Sequence, residues 1–302
     1  MDGVLVVDKP AGPTSHDVVD RARRALGTRR VGHTGTLDPF ATGVLVLCVG
    51  RATRLARFLA AADKEYRARV RLGFATTTDD LTGDPLGVPR PVEVSRTVLA
   101  GALAALVGSF DQVPPAFSAR QVGGRRLYEL ARRGAAVARA ATPVTVHSLA
   151  LVGHESDTLE LDVRCSAGFY VRALARDLGE RLGTGAHLTA LRRTRSGVFS
   201  LAESVAGDVL TGARERLISL SGLLLDLPAV CVGEEGRRHV GHGRELGAEH
   251  VLSGFPEPGV ERVRLVDEQG ELIALAVRRG LPSAEPGLNR RPTLHPDLVL
   301  IG

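Results

Sequence analysis

Six consecutive apolar residues, Val44 to Val49, stand between Gly43 and Gly50 and are entered through a loop punctuated by Gly32, Gly35 and Gly43. A valine-rich run that is continuous rather than alternating reads as a central strand buried on both faces. It is far short of the ~20 residues that a membrane-spanning helix needs. Upstream, Val4 to Val7 reads as a second strand, followed by the turn Lys9-Pro10-Ala11-Gly12-Pro13. Thr14 and Asp17 then form a capping-box pattern, Val18, Val19, Ala22, Ala25 and Leu26 recur at helical spacing, and Gly27 supplies a stop, which predicts a helix. Residues 51 to 62 also read as a helix. From Tyr66 to Leu72 the chain alternates strictly, with Tyr66, Ala68, Val70 and Leu72 on one face and Arg67, Arg69 and Arg71 on the other. This predicts a half-exposed strand with a cationic outer surface.

Phe74 to Pro91, rich in Thr, Asp, Gly and Pro, reads as a loop, and Val98, Leu99, Ala102, Leu103 and Leu106 mark a helix. Residues 113 to 140 carry Pro114-Pro115, Gly123-Gly124 and several arginines but little apolar periodicity, which predicts an excursion from the core that contacts a partner. Strands near 144–152 and 158–165 form a hairpin, and Val171, Leu174, Ala175, Leu178 and Leu182 define a helix stopped by Gly183. Irregularly interleaved strands and helices with antiparallel hairpins predict an α+β fold with a mixed, largely antiparallel sheet flanked by helices. After Pro228 the helical pattern fades into short β-like runs, Val263 to Val266 and Leu272 to Val277, around the turn Asp267 to Gly270. We therefore expect a main domain over 1–227 and a small β-barrel module over 228–302.

With 302 residues, 44% hydrophobic and 24% charged, the chain has the composition of a folded protein, and a disordered or fibrous one is excluded. No signal-like segment opens it, and a soluble cytoplasmic protein is expected. Cys48, Cys165 and Cys231 have no disulfide or zinc spacing. Residues 1–140 carry 21 basic and 13 acidic groups, whereas 141–302 carry 18 and 21. That asymmetry predicts a polyanion-binding face on the N-terminal half. It is tempered by composition, because 37 of the 39 basic residues are arginine, a bias that coding preference alone could produce.

The signatures of phosphate loops, dinucleotide sites, zinc proteases and α/β-hydrolases are all missing. What remains is a set of polar residues beside apolar strands, each with a plainer alternative. Asp38, before Pro39, could simply cap a turn, but its glycine-rich loop at the edge of a buried strand makes it the best nucleophile candidate. His33 is either a backbone-bonded loop histidine or an aromatic wedge against a base. Tyr66 sits on the core face of its strand, yet it is one of only three tyrosines in a chain without tryptophan, so few aromatic platforms for a base exist. Asp79 and Asp80 read as solvated turn residues. Arg172, beside Tyr170, falls in the first turn of a helix, where the dipole disfavours a cation. Such an arginine either meets a carboxylate or lies on a solvated surface.

Taken together, Gly3-Val-Leu-Val-Val-Asp8-Lys9-Pro10, Gly32-His33-Thr34-Gly35-Thr36-Leu37-Asp38-Pro39-Phe-Ala-Thr-Gly43, Lys64-Glu65-Tyr66, Thr77-Thr78-Asp79-Asp80 and Gly168-Phe-Tyr170-Val-Arg172 resemble, in order and spacing, the bacterial TruB family of tRNA pseudouridine synthases. The resemblance implies a pseudouridine synthase fold with a small PUA-like RNA-binding domain at the C-terminus, seen more weakly in Arg238-His239-Val-Gly-His242-Gly243-Arg. It implies isomerisation of uridine 55 in the T-loop of tRNA without cofactor or metal, by a monomer that needs no obligate protein partner and no membrane. Asp38 is then the catalytic aspartate, Arg172 the arginine that pairs with it, and Tyr66 the tyrosine that stacks on the target base. Asp80 binds the flipped base, His33 helps it leave its stack, and Tyr170 belongs to the substrate-binding set. Lys9 and the 113–140 insertion would hold the phosphate backbone. Two alternatives stand beside this: a guide-RNA-dependent relative of the dyskerin type, and an RNA chaperone without chemistry.

Overall fold

The computed structural model describes residues 1–117, 139–210, 212–280 and 292–301, together with the backbone of two short strands at 121–122 and 125–126. Most of the 113–140 excursion therefore lies outside the described residues. Strand β1 (Gly3–Lys9) leads into helix α1 (Ser15–Leu26). Thr14 caps that helix by accepting the Asp17 amide at 3.1 Å, the Asp17 carboxylate accepts the Thr14 amide at 2.7 Å, and Gly27 ends it at φ 65°. Strand β2 (Val31–His33) and the Asp38 loop follow, then β3 (Thr42–Val49), which pairs antiparallel with β1 from Gly3 opposite Val49 to Lys9 opposite Gly43.

Both faces of this central pair are covered, as the continuous apolar run requires. Leu5, Leu45 and Leu47 pack with Val18, Val19 and Ala22 of α1, while Val4, Val6, Val44 and Val46 pack on the opposite side with Leu55, Phe199 and Leu223. Each fully buried leucine or valine of this kind contributes about 1.5–3 kcal/mol of transfer free energy. The helix expected over 51–62 is instead a 3-10 turn, Gly50–Leu55, continued by the short α2 (Ala56–Ala60). There the Thr53 hydroxyl donates to the Gly50 carbonyl at 2.7 Å, a local bond that competes with the regular helical ladder.

Strand β4 (Lys64–Leu72) has Ala68, Val70 and Leu72 buried, in the expected alternation. Its outer face is not the cationic surface expected. The antiparallel neighbour places Asp162 opposite Arg67 and Glu160 opposite Arg69, and Arg67–Asp162 (2.8 Å), Arg69–Glu160 (2.6 Å) and Arg71–Asp157 (3.1 Å) neutralise it. These exposed pairs are worth at most about 1 kcal/mol each, but they leave that face little net charge for a polyanion.

The Thr/Asp-rich loop contains a two-residue hairpin, β5 (Ala75–Thr76) with β6 (Pro85–Leu86), and is followed by α3 (Arg96–Ala104) and β7 (Gly108–Gln112). After β8 (Gln121–Val122) and β9 (Arg125–Arg126) come the hairpin β10 (Thr142–Glu155) and β11 (Thr158–Cys165), then α4 (Val171–Leu182), which ends at Gly183. Strand β12 (Ala186–Ser196), which the sequence pattern does not signal, is inserted between β3 and β4, and β13 (Phe199–Ser200) and β14 (Val205–Ala206) complete the sheet. Its order is β14-β1-β3-β12-β4-β11-β10-β7, with β13 on β12 and β2 on β3. Among the described residues only β1 with β14 and β3 with β12 are parallel in this sheet, so it is mixed and largely antiparallel.

The tail forms a second, five-stranded sheet from β15 (Ala229–Val232), β16 (Val251–Ser253), β17 (Arg262–Val266), β18 (Leu272–Arg279) and β19 (Thr293–Val299), in the order β16-β15-β17-β18-β19. Helix α5 (Glu234–Gly241) packs on it. Eight residues with two glycines are too few to show a helical period, which is why the helix escapes a pattern reading. The sheet is open among the described residues, with β16 paired to β15 alone. Leu272, Leu275 and Leu298 complete the apolar cluster behind β1 and β3.

Candidate active site

Asp38 lies in the loop between β2 and β3, and the chain on either side of it is held by groups from β1 and α1. Leu37 is buried and its peptide is clasped by Ser15, whose hydroxyl accepts the Leu37 amide at 2.8 Å and donates to its carbonyl at 3.1 Å. On the other side, the Lys9 ammonium donates to the carbonyls of Pro10 (2.9 Å), Pro39 (3.2 Å) and Ala41 (2.7 Å). Lys9 is 0% exposed, and burial pushes its ammonium down to about 8. This corrects the phosphate contact expected of it. All three N–H groups of the ammonium are spent on backbone oxygens beneath the loop.

Arg172 reaches Asp38 from the first turn of α4. Its Nε lies 2.9 Å from Asp38 Oδ2 and its Nη2 donates to Oδ1 at 3.1 Å, a two-point fork. The same guanidinium lies 3.4 Å from Asp80 Oδ2 and donates to the carbonyls of Thr78 (3.2 Å) and Phe117 (2.8 Å). The Arg172 side chain is only 6% exposed whereas that of Asp38 is 31% exposed, so the cation is sealed inside and the carboxylate looks out. The unfavourable place of Arg172 on its helix is thus offset by two carboxylates and two carbonyls.

Desolvation raises the Asp38 carboxyl above its ordinary value and the negative charge of Asp80 adds to the rise, while Arg172 and Lys9 oppose it. An activity that needs the carboxylate is lost as pH falls through this raised value. The acid limb of the pH–rate profile should therefore lie above the about 3.9 of a free aspartate. A rate that stays flat down to that value would contradict the burial described.

A cavity of about 410 Å³ opens over Asp38, and Tyr66, Phe169, Tyr170, Leu191 and Arg193 line it with Arg172. The structure therefore brings Asp38, Tyr66, Tyr170 and Arg172 to one place. Tyr66 comes from the core face of β4, where burial pushes its phenol up. Tyr170 is fixed through its backbone, with its amide donating to Gln112 Oε1 at 2.9 Å and its carbonyl accepting from Gln112 Nε2 at 3.1 Å.

Asp80 stands behind the guanidinium rather than in the cavity lining. Its Oδ1 accepts from the Thr78 hydroxyl (2.7 Å), the Thr82 amide (2.9 Å) and the Thr82 hydroxyl (2.5 Å), and Oδ2 faces Arg172. The preceding Asp79, in the left-handed region at φ 61°, pairs with Arg176 at 3.0 Å. His33 precedes Thr34, which lines the cavity, and is not itself among the lining residues. Among the described residues its buried Nδ1 has no hydrogen-bond partner, and burial lowers its pKa, with Arg193 and His16 adding to the effect.

The residues that pattern reading misses are Gln112, Arg176 and Arg193. Gln112 and Arg193 lie in segments with no motif of their own, and the contacts that mark all three, Gln112 with Tyr170, Arg176 with Asp79 and Arg193 with Gly35, join residues 58 to 158 positions apart. The Cys48 and Cys165 thiols are pushed up to about 12 by burial and are inert as nucleophiles. Among the described residues, one set has metal-ligand spacing: Glu235, His239 and His250 in the tail. His250 Nδ1 already accepts the Gly247 amide at 3.1 Å. In the neutral imidazole that leaves the proton on Nε2, so neither ring nitrogen offers a free lone pair to an ion.

Residues 23–171 match the model of the TruB family pseudouridylate synthase N-terminal domain, and residues 172–221 match that of the tRNA pseudouridylate synthase B C-terminal domain. The chain is 41% identical over 288 residues to the tRNA pseudouridine synthase B of Syntrophotalea carbinolica, covering 94% of this chain and 93% of the relative. It is 42% identical over 299 residues to the protein of the same name from Mycobacterium bovis, covering 97% and 98%. Among solved structures, a chain in the crystal structure of a Cbf5–Nop10–Gar1 complex superposes with a TM-score of 0.73 at 26% identity, covering 99% of this chain and 85% of that one.

Proposed function

The chain belongs to the TruB family of pseudouridylate synthases, and on that premise we propose that it converts uridine 55 in the T-loop of tRNA to pseudouridine. The observation that carries this reading is the Asp38 carboxylate, forked on a buried guanidinium and open to a cavity beside an aromatic ring. Isomerisation breaks the bond between N1 and C1′, turns the uracil, and joins C5 to C1′, with the proton on C5 lost and one gained at N1. Asp38 attacks the target nucleotide, and Arg172 holds it charged and aimed. Tyr66 stacks on the base that has left the T-loop, which offsets the few kcal/mol that unstacking costs, and serves in proton removal.

The remaining residues take roles that fit their surroundings. Asp80, with every oxygen engaged inside the protein, fixes Arg172, and Lys9 fixes the Asp38 loop from below. Tyr170 shapes the substrate wall and His33 meets the RNA next to it. Residues 1–227 are the catalytic domain with a 113–140 RNA-clamping insertion, and 228–302 are a PUA-like RNA-binding module. The enzyme acts as a monomer in the cytoplasm. Among the described residues no helix is long and apolar enough to cross a membrane.

The test is tritium release from C5-labelled tRNA transcript by the purified protein alone, with the product mapped chemically. Pseudouridine at position 55 of bare transcript is the expected result. Activity that appears only with a guide RNA and partner proteins would favour the dyskerin-type alternative, and binding without product would favour the chaperone.

A further inference from the structure

Arg193, on β12, is 3% exposed, lines the cavity, and has no carboxylate within ion-pair distance among the described residues. A buried cation without an acid partner is costly, and an apolar residue of the same length would avoid that cost. Its contacts show what the guanidinium does. Nε donates to the Val44 carbonyl at 2.6 Å, Nη2 to the Gly35 carbonyl at 3.1 Å, and Nη1 reaches the Thr36 carbonyl at 3.5 Å. Gly35 and Thr36 are the third and second residues before Asp38, so one side chain ties the glycine-rich approach to the nucleophile onto the central strand.

The backbone of Arg193 is equally constrained. It is the register partner of Gly43 on β3 and of Tyr66 on β4. A Cβ at Gly43 would stand 2.2 Å from the Arg193 carbonyl oxygen, so only glycine admits this approach, and Gly43 itself has φ 101°. The positive charge of the guanidinium also partly reverses the rise that burial imposes on the Tyr66 phenol. Five N–H groups in a rigid fork serve separate acceptors at once, which the single point charge of a lysine does not reproduce.

We propose that Arg193 is a positioning residue for the isomerisation, tying the Gly35–Thr36 segment that leads to Asp38 to β12, the strand that pairs with β4 where Tyr66 enters the cavity. The proposal rests on the reading that Asp38 and Tyr66 act together on a flipped uridine. Arg172 aims the carboxylate from α4, and Arg193 holds its approach loop from β12, both lining the same cavity.

The experiment compares Arg193→Lys and Arg193→Gln with the wild type in single-turnover tritium release and in tRNA binding. Misplacement of a reacting group by about 1 Å costs on the order of 100-fold in rate, so a loss of about 10- to 100-fold is expected in both variants, with tRNA affinity within about threefold of wild type. Turnover within twofold of wild type in either folded variant would overturn the proposal. So would an affinity loss that accounts for the whole effect, or failure of both variants to fold, which would make Arg193 a purely structural residue. If the wild type itself releases no tritium from tRNA, it is the proposed function that fails, and the two failures are told apart by that control.

Discussion

Asp38→Asn will fold, bind tRNA within about threefold of the wild-type affinity, and lose about 10⁴-fold or more of its turnover, the scale on which removal of a nucleophile acts. The amide has the shape of the carboxylate and still offers one oxygen to the Arg172 fork, while the contacts of Arg172 to Asp80, Thr78 and Phe117 do not involve the substituted atom. Packing is therefore kept and the attacking lone pair is lost. Single-turnover tritium release beside a filter-binding titration reads the two quantities separately. Product formation at more than about one part in a thousand of the wild-type rate would remove Asp38 from the role of nucleophile.

Replacement of Arg172 is expected to damage both rate and fold. The guanidinium and Asp80 are both nearly inaccessible, at 6% and 5% side-chain exposure. Removing one partner of a buried pair costs about 3–5 kcal/mol, because the other charge stays inside without compensation. Arg172→Ala should therefore lower the unfolding free energy by about that amount and slow turnover by at least about 100-fold, with only a modest loss of tRNA affinity. Arg172→Lys restores a charge without the two-point geometry, and its rate should fall between those of alanine and wild type. Urea unfolding and single-turnover kinetics measure these effects. Unchanged stability in the alanine variant would contradict the burial of the pair, and a collapse of affinity at normal turnover would contradict the role of Arg172 in holding Asp38.

The elements legible along the chain are those whose cause is local. The capped helix from Ser15, the alternating β4, the β10–β11 hairpin and the helix from Val171 each satisfy their own pattern, and the structure forms them where that pattern lies. Strand β12 was not legible, because Arg192, Arg193 and Arg195 spoil its alternation. Their partners, Asp8, the Gly35 loop and Glu65, are between 130 and 184 residues away. The cationic face of β4 failed for the same reason, since its neutralising acids belong to a strand paired across the sheet.

The chemistry divides along the same line. Along the chain alone one reads an aspartate in a glycine-rich loop at the mouth of a buried strand, an aromatic ring opening an alternating strand, and an arginine where its helix disfavours a cation, because each of these depends on neighbours in the chain. What the fold adds is that the arginine faces the aspartate, that Asp80 and Lys9 are taken up by protein groups, and that Arg193 bonds the loop leading to Asp38. Charge pairing and desolvation act through space, over a few ångströms, between groups from about thirty to more than a hundred and fifty residues apart in the chain, and spacing along a sequence carries no record of them.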